Sequence, residues 1–210
     1  MFLKQSRISS MKKQTEIEIR GALDKGQFEK LKSLLLEKGS EIKHYRRLSV
    51  DISPGFDSES RTWKMDDTID LRIKKSDESE KITLKIGQYA GKERHEIELN
   101  LYEGELAKAA ELFDLLDFNK GMIYYWESWE YAYQKYEVKL TKMADDYFEW
   151  EIESKDKKFD PHVLAAELGL TPFTESEFKK RIDWQNQNIH RLYSQPALKK
   201  LIKTFKANSK

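Results

Sequence analysis

Six stretches of this chain alternate ionisable or polar residues with apolar ones, and that rhythm restricts its fold more than any other feature. They are Glu16-Ile17-Glu18-Ile19-Arg20, Thr68-Ile69-Asp70-Leu71-Arg72-Ile73-Lys74, Lys81-Ile82-Thr83-Leu84-Lys85-Ile86, Arg94-His95-Glu96-Ile97-Glu98-Leu99, Lys135-Tyr136-Glu137-Val138-Lys139-Leu140-Thr141 and Tyr147-Phe148-Glu149-Trp150-Glu151-Ile152-Glu153. Side chains of an extended strand point to opposite faces in turn, so each stretch predicts a strand with one apolar and one ionised face. Both signs of charge populate the ionised faces, with little Ser or Gln. Two readings fit this pattern. One is a half-buried antiparallel sheet whose wet outer face pairs charges across strands. The other turns the ionised face toward a ligand. Along the first stretch, Glu16 and Glu18 suit a hard divalent cation such as magnesium, and Arg20 suits a phosphate.

Composition narrows the choice of partner. The chain has 210 residues, 36% of them charged, yet its net charge is only +1. Acids and bases are interleaved, which argues against a nucleic-acid surface and against bulk attraction to a membrane. There is no cysteine, hence neither a disulfide nor a thiolate metal site. His44, His95, His162 and His190 are scattered without zinc-ligand spacing. Neither a Gly-rich phosphate loop nor a Gly-x-Ser-x-Gly elbow is present. No apolar run approaches a membrane span, and residues 1–10 lack the apolar centre of a secretory signal, so a soluble cytoplasmic protein is expected.

A basic extension at 1–13, one domain over 14–194 and a basic tail at 195–210 describe the expected organisation. The first strand covers 14–24, and Asp24 can cap a helix bearing Phe28, Leu31, Leu34 and Leu35, with Gly39 at its end. A second strand runs from His44 to Ile52 and ends at the turn Ser53-Pro54-Gly55, followed by an irregular loop from Phe56 to Asp67. A mid-chain helix spans Glu103 to Leu116. Met122 to Tyr133, dense in Tyr and Trp, reads as a long strand, with strands at 135–142 and 147–154 after it. Helices are predicted over His162–Leu168 and Ser176–Tyr193. The tail carries Leu198, Leu201, Ile202 and Phe205 on one potential helical face. It is expected to fray or dock loosely, with an acidic partner or membrane surface as alternatives.

In order, these segments resemble the CYTH, or triphosphate tunnel metalloenzyme, superfamily. The resemblance rests on Glu16/Glu18/Arg20 (an E-x-E-x-K motif with arginine last), Arg72/Lys74, Thr83-Leu84-Lys85, Arg94/Glu96/Glu98, Glu151-Ile152-Glu153 and Leu164-Ala165-Ala166-Glu167-Leu168-Gly169-Leu170. It covers residues 14–180. The resemblance implies an α+β fold: an eight-stranded antiparallel β-barrel, a tunnel with a charged lumen, flanked by helices. It implies a hydrolase of an inorganic, thiamine or nucleoside triphosphate that depends on Mg²⁺ or Mn²⁺. Arg20, Arg72, Lys74, Lys85, Arg94, Lys139 and, from the rim, Lys120 would bind phosphate. Glu16, Glu18, Glu151 and Glu153 would hold metal, and Glu96 and Glu98 would hold a second ion or orient the bases. Glu18, Arg20 and Lys85 would be catalytic, and Lys135, Glu137 and Lys139 would line the opposite wall. A homodimer is compatible with the sequence.

Three positions depart from the family pattern. The strand after the mid-chain helix reads Tyr124-Tyr125-Trp126-Glu127-Ser128-Trp129, without the usual K-x-R pair. Thr141 stands where an aspartate is usual, and Arg20 where a lysine is. The aromatic residues suit either a core or a stacking surface for a base or thiamine ring. Within the same fold a class IV-like adenylyl cyclase, converting ATP to cyclic AMP and pyrophosphate, is the alternative. A non-catalytic binder of polyphosphate or nucleotide is a third reading, favoured by the missing basic pair.

Overall fold

A computed structural model describes residues 17–64, 69–77, 79–86, 95–144, 146–154, 156 and 158–207. Strand β1 (Ile17–Leu23) leads directly into helix α1 (Lys25–Lys38). Asp24 caps it as predicted: its carboxylate accepts the Gln27 N–H at 2.7 Å, and the Gln27 side chain accepts the Asp24 N–H at 2.9 Å. Two donors that a helix start leaves without partners are thereby satisfied. Strand β2 (Ser40–Ile52) begins four residues earlier than the sequence pattern suggested. The predicted loop holds a small hairpin, β3 (Phe56–Asp57) with β4 (Thr62–Trp63), in which Phe56 packs on Trp63.

Two meanders complete the sheet. Strands β5 (Ile69–Ser76), β6 (Ser79–Ile86) and β7 (His95–Leu101) form the first, and helix α2 (Leu106–Leu115) follows them. Strands β8 (Gly121–Tyr133), β9 (Tyr136–Ala144) and β10 (Tyr147–Ser154) form the second. Helices α3 (Pro161–Glu167) and α4 (Glu175–Asn188), the short strand β11 (Arg191–Leu192) and helix α5 (Gln195–Ala207) end the chain. All pairings are antiparallel, in the order β1-β10-β9-β8-β2-β5-β6-β7, with β11 beside β8. The long β2–β8 ladder therefore joins the two meanders.

The expected closed barrel is not what the ladders form. Among the described residues β1 and β7 remain edge strands with no pairing between them, so the structure is an open antiparallel sheet with helices. Closure requires a ladder between those two edges. Residues 14–16 and 87–94, just before each edge strand, lie outside the described residues.

Two hydrophobic cores lie on the apolar face. Leu23, Val138, Leu140, Phe148, Trp150 and Ile152 pack beneath α1 and α3, together with Trp129 and Tyr131. Gly21 serves this packing: a Cβ there would come within 2.6 Å of the Trp150 indole nitrogen and 2.5 Å of the Thr171 carbonyl. Leu48, Val50, Ile52, Leu71 and Ile73 pack beneath α2 and α5. Leu198 and Phe205 of α5 are buried there, so most of the tail is a docked helix and not a loose end. Its apolar residues recur every three or four positions and cover sheet that would otherwise meet water. Lys199, Lys200 and Lys203 stay exposed. Among the described residues no helix is long and apolar enough to cross a membrane.

One ion pair is sealed inside this scaffold. Lys75 Nζ lies 2.8 Å from Glu80 Oε1, and Glu80 Oε2 accepts the Leu106 N–H at 2.7 Å, tying the β5–β6 hairpin to the start of α2. Burial works against the Glu80 carboxylate, but the hydrogen bond from Lys75, those from the Gly104 and Leu106 N–H groups and the Lys75 charge together outweigh it and hold its pKa below the ordinary 4.5. Its stabilisation is present above that value and fades as pH falls through the lowered folded pKa. Glu80→Gln leaves a buried ammonium without its counter-ion, and a loss of about 3 kcal/mol is expected in urea denaturation at pH 7. A loss below about 1 kcal/mol would mean that the pair is not what joins hairpin to helix.

Candidate functional site

Alternation and register place the predicted ionised rows on the face opposite both cores. Glu18 and Arg20 of β1 sit beside Glu153 and Glu151 of β10, which sit beside Glu137 and Lys139 of β9. On the other meander Asp51 of β2 faces Arg72 of β5, which faces Thr83 of β6, and Lys85 faces Asp70 and Glu96. A cavity of about 170 Å³ is lined by Tyr45 and Arg47 of β2, Glu130 of β8, Glu137 and Lys139 of β9, and Glu151 and Glu153 of β10. One cavity shared by four neighbouring strands makes this face concave.

Charges on this face neutralise one another across strands. Lys139 Nζ donates to both oxygens of Glu151, at 3.2 and 3.3 Å, and Arg20 reaches Glu151 at 3.4 Å while also contacting Glu18. Burial disfavours both charges of the Lys139–Glu151 pair. Their mutual attraction prevails, raising the Lys139 pKa and, with help from Arg20, lowering that of Glu151. Arg72 forks onto Asp70 at 2.7 and 2.8 Å and lies 3.3 Å from Asp51. Asp51 also accepts from Ser49 Oγ at 2.6 Å and from the Tyr124 hydroxyl; burial, only partly offset by Arg72, raises its pKa. Glu96 binds Lys85 at 3.1 Å and Glu98 binds Lys81 at 2.7 Å.

Helix α4 lies over this concave face. Arg181 and Gln185 reach Glu149 at 3.4 and 2.9 Å, and the Arg20 guanidinium sits 4.8 Å from the Phe178 ring. The predicted helix to Tyr193 stops at Asn188, because β11 turns back to pair with Met122 and Ile123. His190, in that turn, stacks on Tyr124 at 4.4 Å, and Tyr124 stacks on Trp126 at 5.0 Å. Asn186 donates from Nδ2 to the Arg61 carbonyl, so its Oδ1 is the acceptor and the His190 proton sits on Nδ1, 2.8 Å away. Burial pushes the His190 pKa down to about 4, leaving a neutral imidazole whose Nε2 has no hydrogen-bond partner among the described residues.

The structure gathers most of the predicted residues and disperses a few. Arg20, Lys139, Glu151 and Glu153 meet at one end of the face; Arg72, Lys74, Lys85, Glu96 and Glu98 share the other. Lys120 is exposed just before β8 and does not line the cavity. Lys135 does not line the wall: its ammonium lies over the Phe159 ring at 4.4 Å. Glu16 and Arg94 fall outside the described residues. The aromatic strand divides its roles, with Trp129 and Tyr131 in a core and Tyr124 and Trp126 on the ionised side. Thr141 pairs with Ser128 at 3.0 Å, a neutral contact beside Glu149.

Sequence reasoning placed β2 but assigned none of its residues to the site. Tyr45, Arg47, Ser49 and Asp51 all face the cavity side, opposite Leu48, Val50 and Ile52. The alternation from Leu48 to Ile52 was the available signal, obscured by the double base Arg46-Arg47. For a divalent cation, Glu18, Glu153 and Glu137 occupy adjacent register positions on three strands. Like charges so placed repel, and their hard oxygen donors suit such an ion. Among the described residues, however, no three acidic or imidazole groups are gathered closely enough to hold one.

Lys74 gives a direct test of the face's electrostatics. It is buried, and burial first, then Arg72 and Arg47, pull its pKa from 10.5 to about 8. Between those values the unfolded chain binds more protons than the native one, so stability rises with pH across that window. Lys74→Met should abolish the rise and stabilise the protein at pH 7 by about 2 kcal/mol, read by thermal denaturation at both ends of the window. Destabilisation at pH 7 would instead make Lys74 part of the scaffold.

No protein-family model and no curated protein matches the sequence. Solved structures do. A conserved hypothetical protein of Pyrococcus furiosus matches 77% of this chain and 93% of its own, at 20% identity and a TM-score of 0.57. A protein of Bacillus halodurans, provisionally assigned as an adenylate cyclase, matches 80% and 97%, at 16% identity and a TM-score of 0.55. HpAC1 of Hippeastrum, provisionally an adenylyl cyclase and described as having a dominant triphosphatase activity, matches 79% and 94%, at 13% identity and a TM-score of 0.53. Likeness at these identities is likeness of fold. The chain thus shares the fold of these proteins.

Proposed function

We propose that the concave face binds a triphosphate and that the chain hydrolyses it with the help of a divalent cation. One observation carries this reading: Arg47 and Lys139 line a single cavity together with Glu130, Glu137, Glu151 and Glu153, so both signs of charge converge on one space. A triphosphate moved out of water needs several cationic donors at once, and a binder of neutral ligands would have no use for them. Arg20, Arg72, Lys74, Lys85 and Lys139, with Arg94, are the proposed phosphate ligands. Glu18 and Glu153 are the proposed holders of Mg²⁺ or Mn²⁺, with Glu16 beside them and Glu151 in reserve behind its ion pairs. When bound, the cation would neutralise charge on the phosphate oxygens and orient water. The chain's own contribution is positioning: Lys139 and Arg20 keep Glu151 ionised, while Glu96 and Glu98 aim Lys85 and Lys81.

Inorganic, thiamine and nucleoside triphosphates are all candidate substrates. Hydrolysis is preferred to cyclisation because the similar HpAC1 is described by its triphosphatase activity. Non-catalytic binding has one feature in its favour: Tyr124, Trp126 and Ser128 bring no base to this face. Incubation with ATP and Mn²⁺ separates the three. Orthophosphate supports hydrolysis, cyclic AMP with pyrophosphate supports a cyclase, and binding without turnover of any triphosphate supports a binder. Glu18→Gln should lower turnover by at least about a hundredfold with the thermal midpoint nearly unchanged. Near wild-type turnover would remove Glu18 from the active site.

A further inference from the structure

A cation turned into a fold without a counter-ion is costly, and such a residue marks where an anion belongs. On the concave face most bases already have one. Arg20 and Lys139 are held by Glu151, Arg72 by Asp70 and Asp51, Lys81 by Glu98 and Lys85 by Glu96. Among the described cations of this face that are not fully exposed, Arg47 and Lys74 have no carboxylate within ion-pair distance.

Arg47 is held in place by neutral groups alone. Its Nε donates to Ser76 Oγ at 2.8 Å, and its guanidinium lies over the rings of Tyr45 at 4.7 Å and Trp126 at 5.6 Å. Those contacts orient the group yet leave both terminal amino groups without a protein acceptor among the described residues. Arg47 faces Ser76 across β2–β5, and Lys74 faces Ser49, the next residue on the same side of β2. The two cations are thus diagonal neighbours. Arg47 also lines the cavity that Lys139, Glu151 and Glu153 bound from the other side, and it stands opposite Trp126 of the strand that brings no base.

We propose that Arg47 is a further phosphate ligand, which seats one phosphate group of the triphosphate beside Lys74 through its two terminal amino groups. This rests on the triphosphate reading above and assigns the binding load to two residues whose charge is not already neutralised. Calorimetric titration of the full chain with inorganic tripolyphosphate, in EDTA and again with Mn²⁺, tests it. Arg47→Met and Lys74→Met should each weaken binding by about tenfold or more, while Lys43→Met, an exposed cation on the same face of β2, should stay within about twofold. Arg47→Gln, which can keep the bond to Ser76, should lose as much as Arg47→Met and guards against a packing effect. Wild-type affinity in Arg47→Gln and Lys74→Met, with Arg72→Met impaired, would overturn this assignment and leave the triphosphate reading standing. No binding by the wild type in either condition would overturn both.

Discussion

Ionised groups held away from bulk water must find opposite charge within a few ångströms, and the architecture of this protein follows from meeting that demand across strands. Arg20–Glu151–Lys139 spans three strands, and Asp51–Arg72–Asp70 spans two. A slip of one residue in any of these ladders would drive the charges into the cores beneath α1 and α2 and expose Trp150 or Ile73. Apolar packing and ion pairing therefore specify the same register from opposite sides of one sheet. Consistency of that kind between levels is what selects a single structure.

Helix α4 covers part of the concave face. It crosses the ionised side, where it shares Glu149 between Arg181 and Gln185, and its end is fastened by Asn186, His190 and the Tyr124–Trp126 stack. The imidazole is neutral there because burial disfavours its charged form. The face is thus nearly balanced where the protein supplies carboxylates and cationic where it supplies none. The proposed anionic ligand would complete the second region.

Much of this was legible in the residues alone. Strict alternation in Asp70–Lys74, Lys81–Ile86 and Tyr147–Glu153 located those strands and the sides on which their charges lie. The Asp24 cap and the long aromatic strand were equally plain. Other features depend on tertiary partners. Arg47 was hidden because Arg46 precedes it, and alternation identifies its face only once Leu48, Val50 and Ile52 are known to be core. The end of α4 was misplaced because Ile189–Tyr193 continues a helical pattern, while β11 forms only by pairing with β8. The docking of α5 could not be read from an amphipathic basic tail, since the surface it covers belongs to β2, β5 and α2. Closure of the sheet is a property of two distant edges, which no local pattern encodes.

The account as a whole turns on where an anion comes to rest. The most direct measurement is a crystal structure of the protein soaked with tripolyphosphate and Mn²⁺, with anomalous scattering used to place the metal. Phosphate density between Arg47, Lys74 and Lys139, with manganese beside Glu18 or Glu153, is the predicted result. Density confined to the outer lysines of α5, with the concave face still closed on its own ion pairs, would contradict it.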